Sequence, residues 1–164
     1  MNVRENKLKL RTFHDQDIDL FTSWLHKDYI RRWYQDPEDW LLEINKRHEE
    51  YVWIHHCIVL YGETPIGFCQ YYDCYDAKDL EDWYTVTQRG DIYSIDYLIG
   101  KEEYLGKGYG KEIVHILTEH IKDTENARKI IVQPDEDNNP SNGVLLANGY
   151  IYDKQKRYYC KILK

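Results

Sequence analysis

Ser94-Ile95-Asp96-Tyr97-Leu98-Ile99-Gly100-Lys101-Glu102-Glu103-Tyr104-Leu105-Gly106-Lys107-Gly108-Tyr109-Gly110-Lys111 is the stretch that decides the fold. Residues 92–99 are rich in β-branched and aromatic types and predict a strand. Beyond Lys111, the residues Ile113, Val114, Leu117 and Ile121 recur at helical spacing and predict a helix with one apolar face over 110–122. Between the two lie Gly106, Gly108 and Gly110, at every second position. Glycine permits positive φ and close approach of a backbone or ligand. A glycine loop feeding a helix start offers unpaired N–H groups in the positive field of the helix dipole, which suits an anion such as phosphate. The alternative is a turn that only connects two elements.

The spacing rules out two common phosphate loops. A Walker A loop needs Gly-Lys followed by Ser or Thr, with an earlier glycine at fixed distance. Here Glu112 follows Gly110-Lys111. The dinucleotide fingerprint would need a third glycine at position 111 or 113, where Lys and Ile stand.

Asp96 is the second signal. Ser94, Asp96 and Leu98 share one face of the strand, and Ile95, Tyr97 and Ile99 the other. Aspartate is disfavoured in strands and costly to bury without a partner. Either it is a structural carboxylate satisfied by N–H groups or an arginine, or it faces a cationic amine in a cleft.

Outward from this stretch, residues 8–13 predict a strand. Asp15-Gln16-Asp17 caps a helix bearing Ile18, Phe21, Trp24 and Leu25. Pro37-Glu38-Asp39 starts another, with Trp40, Leu41, Ile44 and His48 along one side. Residues 51–60 and 66–72 predict paired strands around a turn at 62–65, and 73–86 read as acidic and irregular. Residues 129–132 predict a short strand and 138–148 a helix ended by Gly149; residues 150–152 and 157–162 predict a final hairpin. This order predicts one α+β domain over residues 1–164, a mixed central sheet flanked by helices on both faces.

The 164 residues are 42% hydrophobic and 31% charged, which excludes wholesale disorder. The formal net charge of −7 argues against non-specific nucleic-acid binding and anionic membranes and is compatible with a cationic partner; ordinary acidic solubility explains it equally well. No apolar run approaches a membrane span of about 20 residues. Residues 1–6 are polar and lack a signal-peptide core. Cys57, Cys69, Cys74 and Cys160 form no C-x-x-C pair, so reduced thiols in a cytoplasmic protein are expected. His55-His56-Cys57 looks like a metal cluster, but strand neighbours point to opposite faces, and no metal is expected.

Gly-Lys-Gly-Tyr-Gly after a strand resembles the acyl-CoA pyrophosphate loop of the GNAT N-acetyltransferase superfamily, Gln/Arg-x-x-Gly-x-Gly/Ala. Gly108 and Gly110 match its glycines, while Leu105 stands where Gln or Arg is usual. Asn138, Ser141, Gly149 and Tyr150 fit the family's later Asn-x-x-Ala/Ser … Tyr … Gly-Phe/Tyr segment, but Leu145 replaces its tyrosine, leaving the acid for the departing thiolate unassigned. The resemblance runs along nearly the whole chain and implies acetyl-CoA as cosubstrate. Its pyrophosphate would meet Leu105, Gly106, Lys107, Gly108, Tyr109, Gly110 and Lys111. Its pantetheine would run along Tyr97, Leu98 and Ile99, with Asn138 and Ser141 alongside.

The stretches around Trp33-Tyr34, 66–72, 82–84 and 94–99 are similar to aminoglycoside 6′-N-acetyltransferases. That similarity implies Asp96 at the substrate amine, as base or as electrostatic anchor, and a polycationic drug cleft lined by Trp33, Tyr34, Gln70, Tyr72, Glu81, Asp82, Trp83 and Asp135. A further aspartate that the similarity implies falls at Gln133 here, and Asp135 and Asp137 just after it are its candidate substitutes. Acetylation of a protein N-terminus or another small amine, or a non-catalytic acyl-CoA-binding module, are the other readings. A monomer or a homodimer is implied by analogy.

Overall fold

The computed structural model describes residues 8–164; the targeting expectation for residues 1–6 lies outside them. The strands are β1 (Leu8–Thr12), β2 (Ile54–Tyr61), β3 (Thr64–Asp73), β4 (Ile92–Ile99), β5 (Lys129–Val132), β6 (Ile151–Asp153) and β7 (Tyr158–Ile162). The helices are α1 (Ile18–Leu25), α2 (Asp28–Tyr34), α3 (Pro37–Asn45), α4 (Tyr109–Glu125) and α5 (Asn139–Ala147). The sheet order is β1-β2-β3-β4-β5-β7-β6. Every neighbouring pair is antiparallel except β4 and β5, which run parallel with α4 as their crossover. The mixed sheet and the helices on both faces are as expected.

The two faces of β4 feed two cores. Tyr93 and Ile95 pack with Ile113, Val114, Leu117 and Ile121 of α4 and with Leu145 of α5. The α4 stripe read from sequence is fully buried here, at about 1.5–3 kcal/mol per aliphatic side chain. On the opposite face, α1 to α3 cover Phe13, Ile58, Phe68 and Leu98. Trp24 lies so close to the end of β4 that a Cβ on Gly100 would stand 2.0 Å from its ring, so only glycine fits there.

Several boundaries differ from expectation. Residues 51–53 form turns ahead of β2, held by bonds such as Ile54 N–H to the Tyr51 carbonyl at 3.0 Å. Their aromatic rings pack on one another and on Tyr72, a demand the strand propensity of Tyr and Trp cannot distinguish from sheet pairing. Pro65 joins β3 beside a register shift opposite Val59 and Leu60, where a missing N–H is tolerated. Residues 28–34 form a helix of their own, and His48 falls beyond the end of α3. The C-terminal helix has the expected limits: Asn138 caps it by accepting from Ser141 N–H at 3.3 Å, and Gly149 follows at φ 81°.

His55 and His56 do point to opposite faces. His55 stacks on Tyr71 at 4.3 Å, while His56 is buried. All four cysteines are free thiols. Among the described residues no helix is long and apolar enough to cross a membrane, and no His/Cys/Asp/Glu group could hold a metal.

Candidate active site

The site begins with a break in the sheet. β4 and β5 pair only at Ile92–Lys129 and Tyr93–Ile130. Beyond Tyr93 they part, and a cleft of about 700 Å³ opens between them. Four consecutive residues, Ser94, Ile95, Asp96 and Tyr97, line it. Successive strand residues point to opposite faces. One cleft can touch all four only where it passes around the free edge of β4. A group held on the α1–α3 side can therefore meet a group held on the α4–α5 side.

Asp96 stands on the first side. Gln70, its cross-strand partner on β3, donates from Nε2 to Asp96 Oδ2 at 2.9 Å. Gln70 is buried, and its Oε1 has no partner within the protein, which leaves an acceptor for a ligand N–H. Asp96 keeps an edge toward the cleft but is otherwise enclosed by protein. Burial raises its pKa from 3.8 to about 6; the Gln70 bond opposes the rise and Glu81 adds to it. Among the described residues no arginine or lysine pairs with it.

Two acids that the sequence reading did not single out join it. Asp39 and Glu43, one turn apart on α3, both line the cleft. Glu43 is raised to about 7, first by burial, then by Asp96, Glu81 and Asp39. Glu81, which accepts from Trp83 Nε1 at 3.0 Å, is also raised by burial, with Asp82 contributing. With Asp135, the cleft holds five carboxylates among the described residues, and none of the described residues that line it is Lys, Arg or His. Positive charge placed among them would favour the ionised forms of Glu43, Glu81 and Asp96.

The walls are aromatic. Trp33, Tyr34 and Trp40 come from the α2–α3 region, with Tyr34 edge-on to Trp40 at 5.3 Å. Tyr51 and Trp53 come from the turns before β2, and Trp53 lies edge-on to Tyr72 at 6.0 Å. Burial pushes the Tyr72 pKa well up, with Asp96 adding to the rise and Ser94 opposing it. Tyr34 is also pushed well up by burial, with Asp96 adding to the rise and the neighbouring Tyr97 amide opposing it.

On the other side, the Tyr97 ring lies over the start of α4, where a Cβ on Gly110 would stand 3.5 Å from it. Burial raises the Tyr97 pKa and neighbouring Ser141 opposes the rise; Ser141 and Asn138 of the α5 start complete this wall. The glycine loop leads away from here. Gly106 and Gly108 have φ of 71° and 83°, with no atom within 4 Å of an added Cβ. Glycine is needed there for the backbone turn, and the space above the loop is open. Gly110 and Lys111 carry first-turn N–H groups that have no acceptor within α4, and the Lys107 and Lys111 side chains are exposed beside them. This donor set fits a pyrophosphate.

Of the residues expected at a substrate, Trp33, Tyr34, Gln70, Tyr72, Glu81, Trp83, Asp96 and Asp135 line the cleft. Asp82 is exposed, lies outside the lining and reaches it only through its effect on Glu81. Of those expected at the cosubstrate, Tyr97, Asn138 and Ser141 line the cleft and the loop residues follow it outside. The Leu98 side chain is buried in the opposite core, so only its backbone is on this path. Ile99 already accepts from Tyr29 Oη at 2.7 Å through its carbonyl. Tyr109 packs its ring against Tyr61 and Tyr104.

The sheet thus opens between its fourth and fifth strands, with the glycine loop and the start of α4 at the opening. Comparison gives the family: the family model described as an acetyltransferase (GNAT) domain matches residues 14–157, and the chain belongs to that family. Aminoglycoside N(6′)-acetyltransferase type 1 from Klebsiella pneumoniae is 24% identical over 140 residues, covering 81% of this chain and 68% of that protein. The crystal structure of aminoglycoside acetyltransferase AAC(6′)-Ib with coenzyme A and kanamycin superposes with a TM-score of 0.77 at 20% identity, covering 94% of each chain. A ribosomal-protein-S5-alanine acetyltransferase from Vibrio fischeri superposes at 0.69 and 16% identity, covering 100% of this chain and 97% of that one.

Proposed function

We propose that this protein transfers acetyl from acetyl-CoA to the 6′-amine of an aminoglycoside by direct attack of the amine on the thioester. The observation that carries the reading is the five-carboxylate, aromatic-walled cleft that wraps the free edge of β4. A flat polycation with several ammonium groups and hydroxyls matches it through charge-assisted bonds to Asp39, Glu43, Glu81, Asp96 and Asp135 and ring contacts to Trp33, Tyr72 and Trp83. A peptide N-terminus brings one ammonium and leaves most of these acids unpaired. The buried Leu145 is the feature that favours a non-catalytic acyl-CoA binder.

In this reading the loop from Leu105 to Lys111 holds the pyrophosphate and the free edge of β4 takes the pantetheine. The Tyr97 amide at that edge polarises the thioester carbonyl. Asp96 anchors the ammonium. With its pKa near 6 it is closer to neutrality than an ordinary carboxylate, which improves it as the acceptor of the amine proton. No Cys lies at the junction, and the direct route needs no acyl-enzyme. We place the protein in the cytoplasm, acting as one domain, with resistance to 6′-amino drugs as its effect in a bacterium.

The test is thiol release from acetyl-CoA against a panel of amines. Turnover is expected with kanamycin- and tobramycin-like drugs, with KM rising as salt screens the cleft. Turnover with an alanine-terminated peptide and none with 6′-amino drugs would overturn the substrate assignment.

A further inference from the structure

The face of the sheet under α4 carries a pair of thiols that acetyl transfer does not use. Cys57 of β2 and Cys69 of β3 stand directly opposite each other in the strand register. Cys69 is fully buried in the core on the α4 side, and Cys57, half-buried, packs against the same core. Cys74 lies past the end of β3, and Cys160 stands opposite Ile131 and Ile151, so neither has a cysteine as its strand partner.

The backbone fixes the spacing of the pair. The His56 carbonyl accepts from Phe13 N–H at 3.0 Å, so His56 turns its polar groups to β1 and Cys57 turns its own to β3. The Ile66 carbonyl accepts from Gly100 N–H at 2.8 Å, so Ile66, Phe68 and Gln70 turn to β4 and Cys69 turns to β2. Cys57 and Cys69 are therefore a hydrogen-bonded pair, with Cα atoms about 5.5 Å apart. That lies within the disulfide range of about 4.4–6.8 Å. The Cβ atoms of such a pair are about 5 Å apart, whereas a disulfide holds them at about 3.8 Å. A bridge here draws the two strands together and carries strain, which makes it easily reduced.

We propose that Cys57 and Cys69 form a site of reversible thiol oxidation, which takes a small disulfide such as oxidised glutathione and closes to a cross-strand bridge. Cys57 is the point of entry, because it is the partly exposed member of the pair. Neighbouring Cys69 lowers the Cys57 pKa against burial, while Cys57 and burial hold Cys69 well up. The Cys57 thiolate attacks one glutathione sulfur, the glutathione S–S bond breaks, and one glutathione thiolate leaves. The Cys69 sulfur, losing its proton, then attacks the Cys57 sulfur and expels the second glutathione thiolate. The two protein thiols lose two electrons and two protons, and one glutathione disulfide gains them as two thiols.

The pair adjoins both walls of the cleft. Gln70 follows Cys69 in the chain and donates to Asp96 at 2.9 Å, and Tyr97 is the partner of Cys69 on β4. Drawing Cys69 toward β2 displaces both, and a misplacement of about 1 Å costs about 10²-fold in rate. This consequence, unlike the bridge itself, rests on the acetyltransferase reading above.

The test equilibrates the folded protein with oxidised and reduced glutathione at several ratios, quenches with an alkylating agent and maps the peptides by mass. One disulfide joining Cys57 to Cys69 is expected, with Cys74 and Cys160 still alkylated, and excess reduced glutathione should reverse it. Cys69→Ala should stop at a glutathione mixed disulfide on Cys57, and Cys57→Ser should leave Cys69 unmodified. With a 6′-amino drug, kcat of the oxidised wild type should fall about tenfold or more and return on reduction, and Cys57→Ser should be insensitive to the oxidant. No bridge in excess oxidised glutathione, or one formed only after denaturation, overturns the proposal. A bridge that leaves kcat unchanged overturns the link to the cleft. If the reduced protein turns over no amine while the bridge forms, the acetyltransferase reading fails and the thiol site stands.

Discussion

Asp96→Asn should make the protein more stable while disabling it. The Asp96 pKa rises from 3.8 in the open chain to about 6 in the fold. Between those values the folded state holds more protons than the unfolded state, so stability falls as pH rises. The penalty is absent near pH 4, grows through pH 6 and is complete by about pH 7, where it amounts to roughly 3 kcal/mol at most. Asparagine has nearly the same shape, can still accept from Gln70 Nε2, and carries no charge to desolvate. For a chain of this size, that predicts a rise in Tm of about 6–12 °C at pH 7. Glu43 also titrates in this window and is common to both proteins, though its own strain eases in the variant because Asp96 is one of its causes. Calorimetric melts of both proteins from pH 4 to 7.5 should converge at the acid end and diverge toward neutrality. Amine acetylation should fall about 10²–10⁴-fold over the same preparation. A variant no more stable than wild type at pH 7, or a Tm difference that does not change with pH, would refute the reasoning.

Glu43→Gln removes one of the charges around Asp96. The acid limb of the kcat/KM profile should move to lower pH and KM for a polycationic drug should rise, with acetyl-CoA KM within about twofold, as pH–rate profiles would show. Binding of a polycation should ionise both groups: with pKa values of about 6 and 7, roughly one proton should be released per drug bound at pH 6.5, read as the slope of calorimetric enthalpy against buffer ionisation enthalpy. Gly108→Val places a β-branched residue at φ 83°, a strain of about 1–3 kcal/mol; there is open space for the side chain, so acetyl-CoA affinity should drop through the loop conformation while the circular dichroism spectrum is retained.

The central architecture was legible because it is local. A β-branched run, three spaced glycines and the stripe from Ile113 to Ile121 each name their element, and the capped helix after Asn138 carries its own start and stop. Asp96 was legible because a carboxylate in an apolar strand needs an explanation. Asp39 and Glu43 were not singled out, although the pattern was present: like charges four apart on one helix oppose each other, and the Trp40-Leu41-Ile44 stripe hides which flank faces a cleft. Tyr51 and Trp53 read as strand because ring packing in a turn and cross-strand packing favour the same residue types. Asp82 and Glu81 were indistinguishable in sequence; the bond to Trp83 and the burial that select Glu81 are tertiary. The cleft itself depends on β5 leaving β4 after two residue pairs, a register fact with no local signature.

The most direct test of the account is to incubate the purified protein with acetyl-CoA and kanamycin and locate the acetyl group on the product by two-dimensional NMR. The account predicts one acetyl per drug molecule, on the 6′-nitrogen, with one equivalent of free coenzyme A thiol. Acetylation at another amine, or intact kanamycin beside a protein that acetylates a peptide, would contradict it.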